Sequence, residues 1–163
     1  MQIITSSTEL DTRSIRVQTR KANDIQNEQS LIISELERSQ FPIFVRRHPT
    51  AKLRGLPSGI YNCHGLTFAS RRTMVYDPNE IWKIIKDDNY VRVEQIQALP
   101  GDVVLYLSAE GDVEHSGIVI SEPEPHFYLP KVWSKWGKYY EVIHYVNDCP
   151  YEKSNIKYYR IMG

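Results

Sequence analysis

The chain has 163 residues, 41% hydrophobic and 11% aromatic, and its 20 Lys+Arg balance its 20 Asp+Glu. Near the usual domain length of roughly 150 residues, this predicts one compact globular unit with one good core. A formal charge of zero gives no long-range pull on a polyanion, which excludes nucleic acid and anionic membrane surfaces as expected partners. The N-terminus lacks a basic region followed by an apolar run of about 7–15 residues, and nothing approaches the roughly 18 apolar residues of a membrane span. The expectation is a soluble, cytoplasmic protein, with export by a leaderless route left open. Cys63 and Cys149 are the two cysteines, too few for a disulfide framework.

In chain order, residues 1–21 are polar and aperiodic, a floppy start. Asn23 and Asp24 then offer a cap for a helix running through QNEQSLIISELERS, where Ile25, Leu31, Ile32 and Leu36 recur near helical spacing. Pro42, Pro49, Pro57, Gly55 and Gly59 mark the next stretch as a covering loop. A helix is expected from Cys63 to about Arg71, and another after the Asp77-Pro78 cap, with Ile81, Trp82, Ile84 and Ile85 on its apolar face. From Leu99 onward the runs DVVLYL, HSGIVI, KVWSKW, EVIHYV and IKYYRI read as strands separated by turn signals. Connections this short predict an antiparallel meander of about five strands, so helices first and sheet afterwards give an α+β fold. Residues 1–50 read as an N-terminal extension that caps a cleft, inhibits, or mediates association, and residues 51–163 as the main domain.

The chemistry centres on YNCHGLTF, residues 61–68. Asn62 is a fair N-cap, so Cys63 opens a helix, where the dipole lowers a thiol pKa and unpaired amides can hold an oxyanion. Five histidines compete as its base. His48 and His126 sit in proline-rich loops, and His64 is adjacent on the helix, about 100° away around its axis. His144 lies mid-strand, where a histidine is more often structural. His115 stands at the mouth of an apolar strand after a tight turn and is better placed. The competing readings are a buried, inert cysteine and a zinc site from Cys63, His64, His115 and His144, whose spacing does not match a finger. Cys149, in NDCPY, reads as a loop or packing residue.

The CHG helix start, PGDVVLY at 100–106 and HSGIVI at 115–120, followed by a strand with polar residues and Trp, resemble the papain-like cysteine hydrolases of the NlpC and CHAP type. The resemblance spans roughly residues 59–163. It implies a papain-like fold, a catalytic Cys63, a general base His115, no metal and no other cofactor. A third polar residue on the next strand orients the imidazole in that family, but KVWSKWG lacks the usual Glu, Asn, Gln or His. Ser134 and Lys135 are the polar residues there, on opposite faces by alternation. Ser134 is preferred because a hydroxyl accepts from an imidazole N–H and an ammonium does not. Tyr61 corresponds to a tyrosine near the oxyanion site of related wall peptidases. His64 and Trp136 join it as oxyanion or cleft candidates, and Asp102 is expected to bond turn amides. The implied function is a cysteine peptidase or amidase working through an acyl-enzyme on a peptide or amide, peptidoglycan-derived by resemblance. Acyl transfer, deamidation and an inactive binding module on the same fold are the alternatives.

Overall fold

The computed structural model describes residues 12–126 and 128–163. Its elements are β1 (Thr12–Arg13), β2 (Gln29–Ser30), α1 (Glu35–Arg47), β3 (Lys52–Arg54), α2 (Cys63–Phe68), α3 (Pro78–Asp87), β4 (Tyr90–Val93), β5 (Val103–Leu107), β6 (Val113–Val119), β7 (Lys131–Lys135), β8 (Glu141–Tyr145) and β9 (Ile156–Ile161). The fold is α+β. Its main sheet has seven strands rather than about five, in the order β3-β8-β7-β6-β5-β9-β4, and every neighbouring pair is antiparallel. Strands β5 to β8 form the expected meander. The meander breaks at β9, which returns to pair with β5, while β3 and β4 extend the two edges.

Alternation along the strands separates two cores. Val104, Tyr106, Val119, Val132, Val142 and Tyr158 face one side, where Phe41 of α1 and Trp136 pack on them. Val103, Leu105, Leu107 and Val113 face the other, under Ile81, Ile84 and Ile85 of α3. Asp77 caps α3 by accepting from the Asn79 N–H, with Pro78 in the first turn, the arrangement its sequence predicts.

The N-terminal third departs from expectation. Residues 1–11 of the expected floppy start lie outside the described residues. Beyond them the chain is tied down: β1 pairs with β2, and Thr19 Oγ1 donates to Asp87 Oδ2 at 2.8 Å. The helix expected from Asn23 is absent, because this segment finds its backbone partners across a ribbon. Ile25 N–H donates to Val17 O, and the Asn27 side chain bonds both the N–H and the carbonyl of Ile15. Leu31, Ile32 and Leu36, its expected apolar face, are exposed. A helix starts only at Glu35, where Ser34 and Glu37 form a reciprocal capping box. It takes in the first part of the expected loop, to Arg47, and carries Pro42 in its interior. An interior proline costs about 3 kcal/mol, offset here by Phe41, whose ring meets Tyr139 and Tyr140 at 5.1 Å each.

Candidate active site

Cys63 opens α2 because Asn62 caps it: Asn62 Oδ1 accepts from the Gly65 and Val75 amides, at 3.0 and 3.2 Å, while its Nδ2 donates to the Val75 carbonyl. The helix ends at Phe68 rather than near Arg71, since Ser70 and Arg71 turn to positive φ. Gly65 is required by close approach, as a Cβ there would lie 1.8 Å from the Thr73 carbonyl oxygen. A directed chain of hydrogen bonds ties this turn to β6. His64 Nδ1 lies 2.8 Å from Ser116 Oγ, Ser116 donates to Thr67 Oγ1 at 3.0 Å, and Thr67 donates to the Cys63 carbonyl at 2.9 Å. With the Ser116 proton committed to Thr67, His64 is the donor at Nδ1.

Cys63 is 8% exposed and lines a cleft of about 440 Å³ with Tyr76, Asp112, Glu114, Lys138 and Tyr151. Burial pushes its thiol up to about 11, against the pull of the Ser116, His64 and Cys63 amides and of the Lys135 charge. This reverses the expected lowering. α2 has only six residues, so the helix acts through its first two amides, and no imidazolium neighbours the sulfur.

His115 lies on β6 opposite Tyr106 of β5, and the register shifts between Tyr106 and Leu107. His115 shares the Tyr106 face because the two are directly opposite, Ser116 faces α2, and the bulge puts Val113 on the Leu107 face rather than on that of His115. The His115 side chain is fully buried, and neither ring nitrogen has a hydrogen-bond partner among the described residues. Burial holds its pKa well below the ordinary value. The Tyr151 ring stacks flat on it. Tyr151 therefore touches His115 and lines the Cys63 cleft.

The remaining expected residues fall elsewhere. Ser134 does not orient His115; its Oγ lies 2.7 Å from His144 Nε2, because β7 and β8 place the two side by side on one face. His144 is the buried structural residue its position suggested, with Nδ1 on the Tyr145 carbonyl and burial holding its pKa to about 4. His64 is likewise held to about 4 by burial. Trp136 is 1% exposed and packs against Phe41, His48 and His144, so it lines the core and not the cleft. Tyr61 donates to Glu141 Oε1 at 2.5 Å. Asp102 Oδ2 accepts from the Leu99 N–H, and its carboxylate takes a two-pronged bond from Arg160, 2.8 Å on each oxygen. Cys149 is buried in the core beside Tyr106, and both cysteines are free. The four residues of the zinc alternative do not converge: among the described residues no three His, Cys, Asp or Glu are grouped to hold a metal.

Sequence reasoning passed over Glu141 and Arg71. Glu141, cross-strand from Lys135, accepts from Tyr61, from Arg71 Nε at 2.6 Å and from Trp133 Nε1 at 2.7 Å. The Arg71 and Arg54 guanidiniums lie over the Trp133 ring at 4.5 and 4.2 Å. A lone acid opening an otherwise apolar strand was the available signal. Comparisons with family models, with curated proteins and with solved structures find no match to this chain.

Proposed function

We propose that the protein is a cysteine-dependent amide or peptide hydrolase on a papain-like fold, with Cys63 as nucleophile and His115 as general base. The observation that supports this reading is that two buried reactive groups adjoin one strand residue, Ser116, which turns to α2 while His115 turns to the other face of β6. The Ser116 amide acts on the Cys63 thiol, and the residue before it, His115, buries an imidazole with both nitrogens unpaired. Unpaired buried polar atoms demand an explanation, and a catalytic role is one. The resting pair is thiol and neutral imidazole. Attack on the substrate carbonyl carbon passes the thiol proton to His115, which gives it to the leaving amine; water then releases the acyl group. The Cys63 and His64 amides at the helix start suit the developing oxyanion. A cleft of about 440 Å³ takes a short peptide, and the sequence resemblance points to peptidoglycan-derived peptides. Acyl transfer or deamidation would use the same pair.

A second reading, a binding module without turnover, draws on the raised thiol pKa and the Tyr151 ring covering His115. Incubation with wall-derived peptides and mass spectrometry of the products separates the two. Hydrolysis of an amide bond by the wild type, abolished in both Cys63→Ala and His115→Ala, supports the enzyme. Products that persist in either variant, or substrate left intact by the wild type while it binds, overturn it.

A further inference from the structure

β3 stands at one end of the sheet order, so its outer edge meets no strand among the described residues, and residues 52–56, KLRGL, are all exposed. Its register puts Lys52 opposite Ile143, Leu53 opposite Val142 and Arg54 opposite Glu141. Paired residues share a face. Lys52 and Arg54 therefore stand on the side of the sheet that α2 and α3 cover farther along, and Leu53, 49% exposed, on the other. Beside β3 the helix side is open, and a groove of about 580 Å³ there is lined by Lys52, Ile120, Lys131, Ile143 and Tyr145. Positive charge dominates it. Arg54 lies over the Trp133 ring at 4.2 Å, and Lys131 over the Tyr145 ring at 5.3 Å. The carboxylates bonded to residues of this region are already engaged: Glu141 by Arg71, Tyr61 and Trp133, Glu124 by Tyr145 and Lys131, Asp148 by His48 and Thr50. Among the described residues, no carboxylate comes within salt-bridge distance of Lys52 or Arg54.

We propose that β3 takes an added strand from an acidic partner, an extended segment of another protein in which acidic and apolar residues alternate. Laid antiparallel along β3, such a segment sets acidic residues opposite Lys52 and Arg54 and an apolar residue opposite Leu53, while backbone hydrogen bonds continue the ladder. Cations on an edge strand deter indiscriminate pairing, and here they also select. A second copy of this chain is a poor occupant: antiparallel self-pairing about Leu53 puts Lys52 of each copy opposite Arg54 of the other, like charge on like. Single-stranded nucleic acid is disfavoured because Trp133 and Tyr145, the aromatic rings of this side, already carry Arg54, Arg71 and Lys131 and offer no bare platform for bases. The Cys63 cleft does not compete for the segment, since Glu37, Asp112 and Glu114 outnumber Lys138 there. The proposal goes beyond the hydrolase reading and stands without it.

The test takes the full chain and a fluorescein-labelled peptide of about six residues alternating Glu and Val, with fluorescence anisotropy to measure binding and amide hydrogen exchange to locate it. The peptide should bind, its affinity should fall as salt rises, and exchange should slow within residues 52–54. Charge reversal at both positions, Lys52→Glu with Arg54→Glu, should weaken binding by about tenfold or more and confer binding of the same peptide with Lys in place of Glu. No binding by the wild type, equal binding of a scrambled peptide with its acids grouped together, or exchange protection only elsewhere overturns the proposal. So does an oligothymidylate that displaces the peptide at equal concentration. If the reversed variant does not fold, the wild-type exchange map decides: protection within residues 52–54 supports the added strand, and its absence overturns it. Binding retained in Cys63→Ala supports an edge site apart from the cleft, and binding lost in that variant overturns it.

Discussion

The Tyr151 ring lies flat on the His115 imidazole, with centroids 3.6 Å apart and planes within 7°. Tyr151 comes from the loop between β8 and β9 and also lines the Cys63 cleft, so one aromatic side chain lies between a buried imidazole and the cleft that holds the Cys63 thiol. Tyr151→Ala should uncover the imidazole and let its pKa climb toward the ordinary value near 6.5, because burial is the largest cause of its lowering. Ring-proton NMR against pH measures this directly. A His115 that still does not titrate above pH 5 in the variant would locate its burial elsewhere, in the Tyr106 contact.

Acid should destabilise the protein earlier than carboxylate protonation alone would. His64, His115 and His144 are neutral in the folded state, with pKa values lowered to about 4 for the first and third and further for His115. Unfolded, each binds a proton near pH 6.5, so the unfolded state holds more protons below that pH and stability falls as pH drops. The loss runs from about pH 6.5 to about pH 4, approaching roughly 4 kcal/mol per pH unit while all three stay neutral in the fold. Urea unfolding at pH 7, 6 and 5 should show it, and His144→Gln should flatten the slope by about a third. Equal stability at pH 7 and pH 5 would contradict the burial of these rings.

Glu141 holds together parts of the chain far apart in sequence: Tyr61 before α2, Arg71 after it and Trp133 on β7. Glu141→Ala leaves three donors without their acceptor and should cost about 3 kcal/mol; Arg71→Met should cost less, since Arg71 is partly exposed. Burial raises the Glu141 carboxyl, but bonds from Arg71, Tyr61 and Trp133 outweigh it and hold it below its ordinary value. Its contribution is therefore present above about pH 4.5 and lost as pH falls through the lowered pKa, below the histidine window. Because Tyr61 and Arg71 of this network flank α2, Glu141→Ala should also speed Cys63 alkylation by loosening the start of α2. Denaturation and alkylation unchanged from wild type would remove Glu141 from that role.

The strands β5 to β9 were readable because β-branched and aromatic residues fill runs bounded by glycine, proline and asparagine. The start of α2 was readable because Asn62 is a capping residue. β3 and β4 were not, since Lys52–Arg54 and Tyr90–Val93 are edge strands of only three and four residues. α1 was hidden by Pro42 and by an apolar spacing over residues 25–36 that the fold leaves mostly exposed. The face of His115 depends on its register opposite Tyr106, and a shift of one residue exchanges the faces of a strand. Ser134 met His144 instead of His115 for a similar reason: cross-strand partners are set by register, which the residues of KVWSKW do not reveal. Lys135 was visible only as a charge in an apolar strand; its burial and the occupation of Glu141 by other donors are tertiary facts.

Gly65 offers a direct check on the geometry around Cys63. A Cβ at this position would lie 1.8 Å from the Thr73 carbonyl oxygen and 2.9 Å from the Tyr61 Cβ. Both obstacles resist displacement: the Thr73–Val75 backbone is held by Asn62 and by Met74 pairing with Glu28, and Tyr61 is bonded to Glu141. Gly65→Ala would normally favour a helix by about 1 kcal/mol, so propensity and packing predict opposite signs. Forcing a methyl group into a closed site costs about 1–3 kcal/mol or more, and packing should win. The variant should unfold at lower urea than wild type. Gly137→Ala makes the contrast, since nothing lies within 4 Å of its added Cβ and its φ of +66° leaves backbone strain as the source of its loss. Alkylation of Cys63 should accelerate in Gly65→Ala, where the turn carrying the thiol is displaced, and stay near wild type in Gly137→Ala. A Gly65→Ala protein as stable as wild type, with Cys63 equally protected, would mean that α2 does not approach Thr73 this closely.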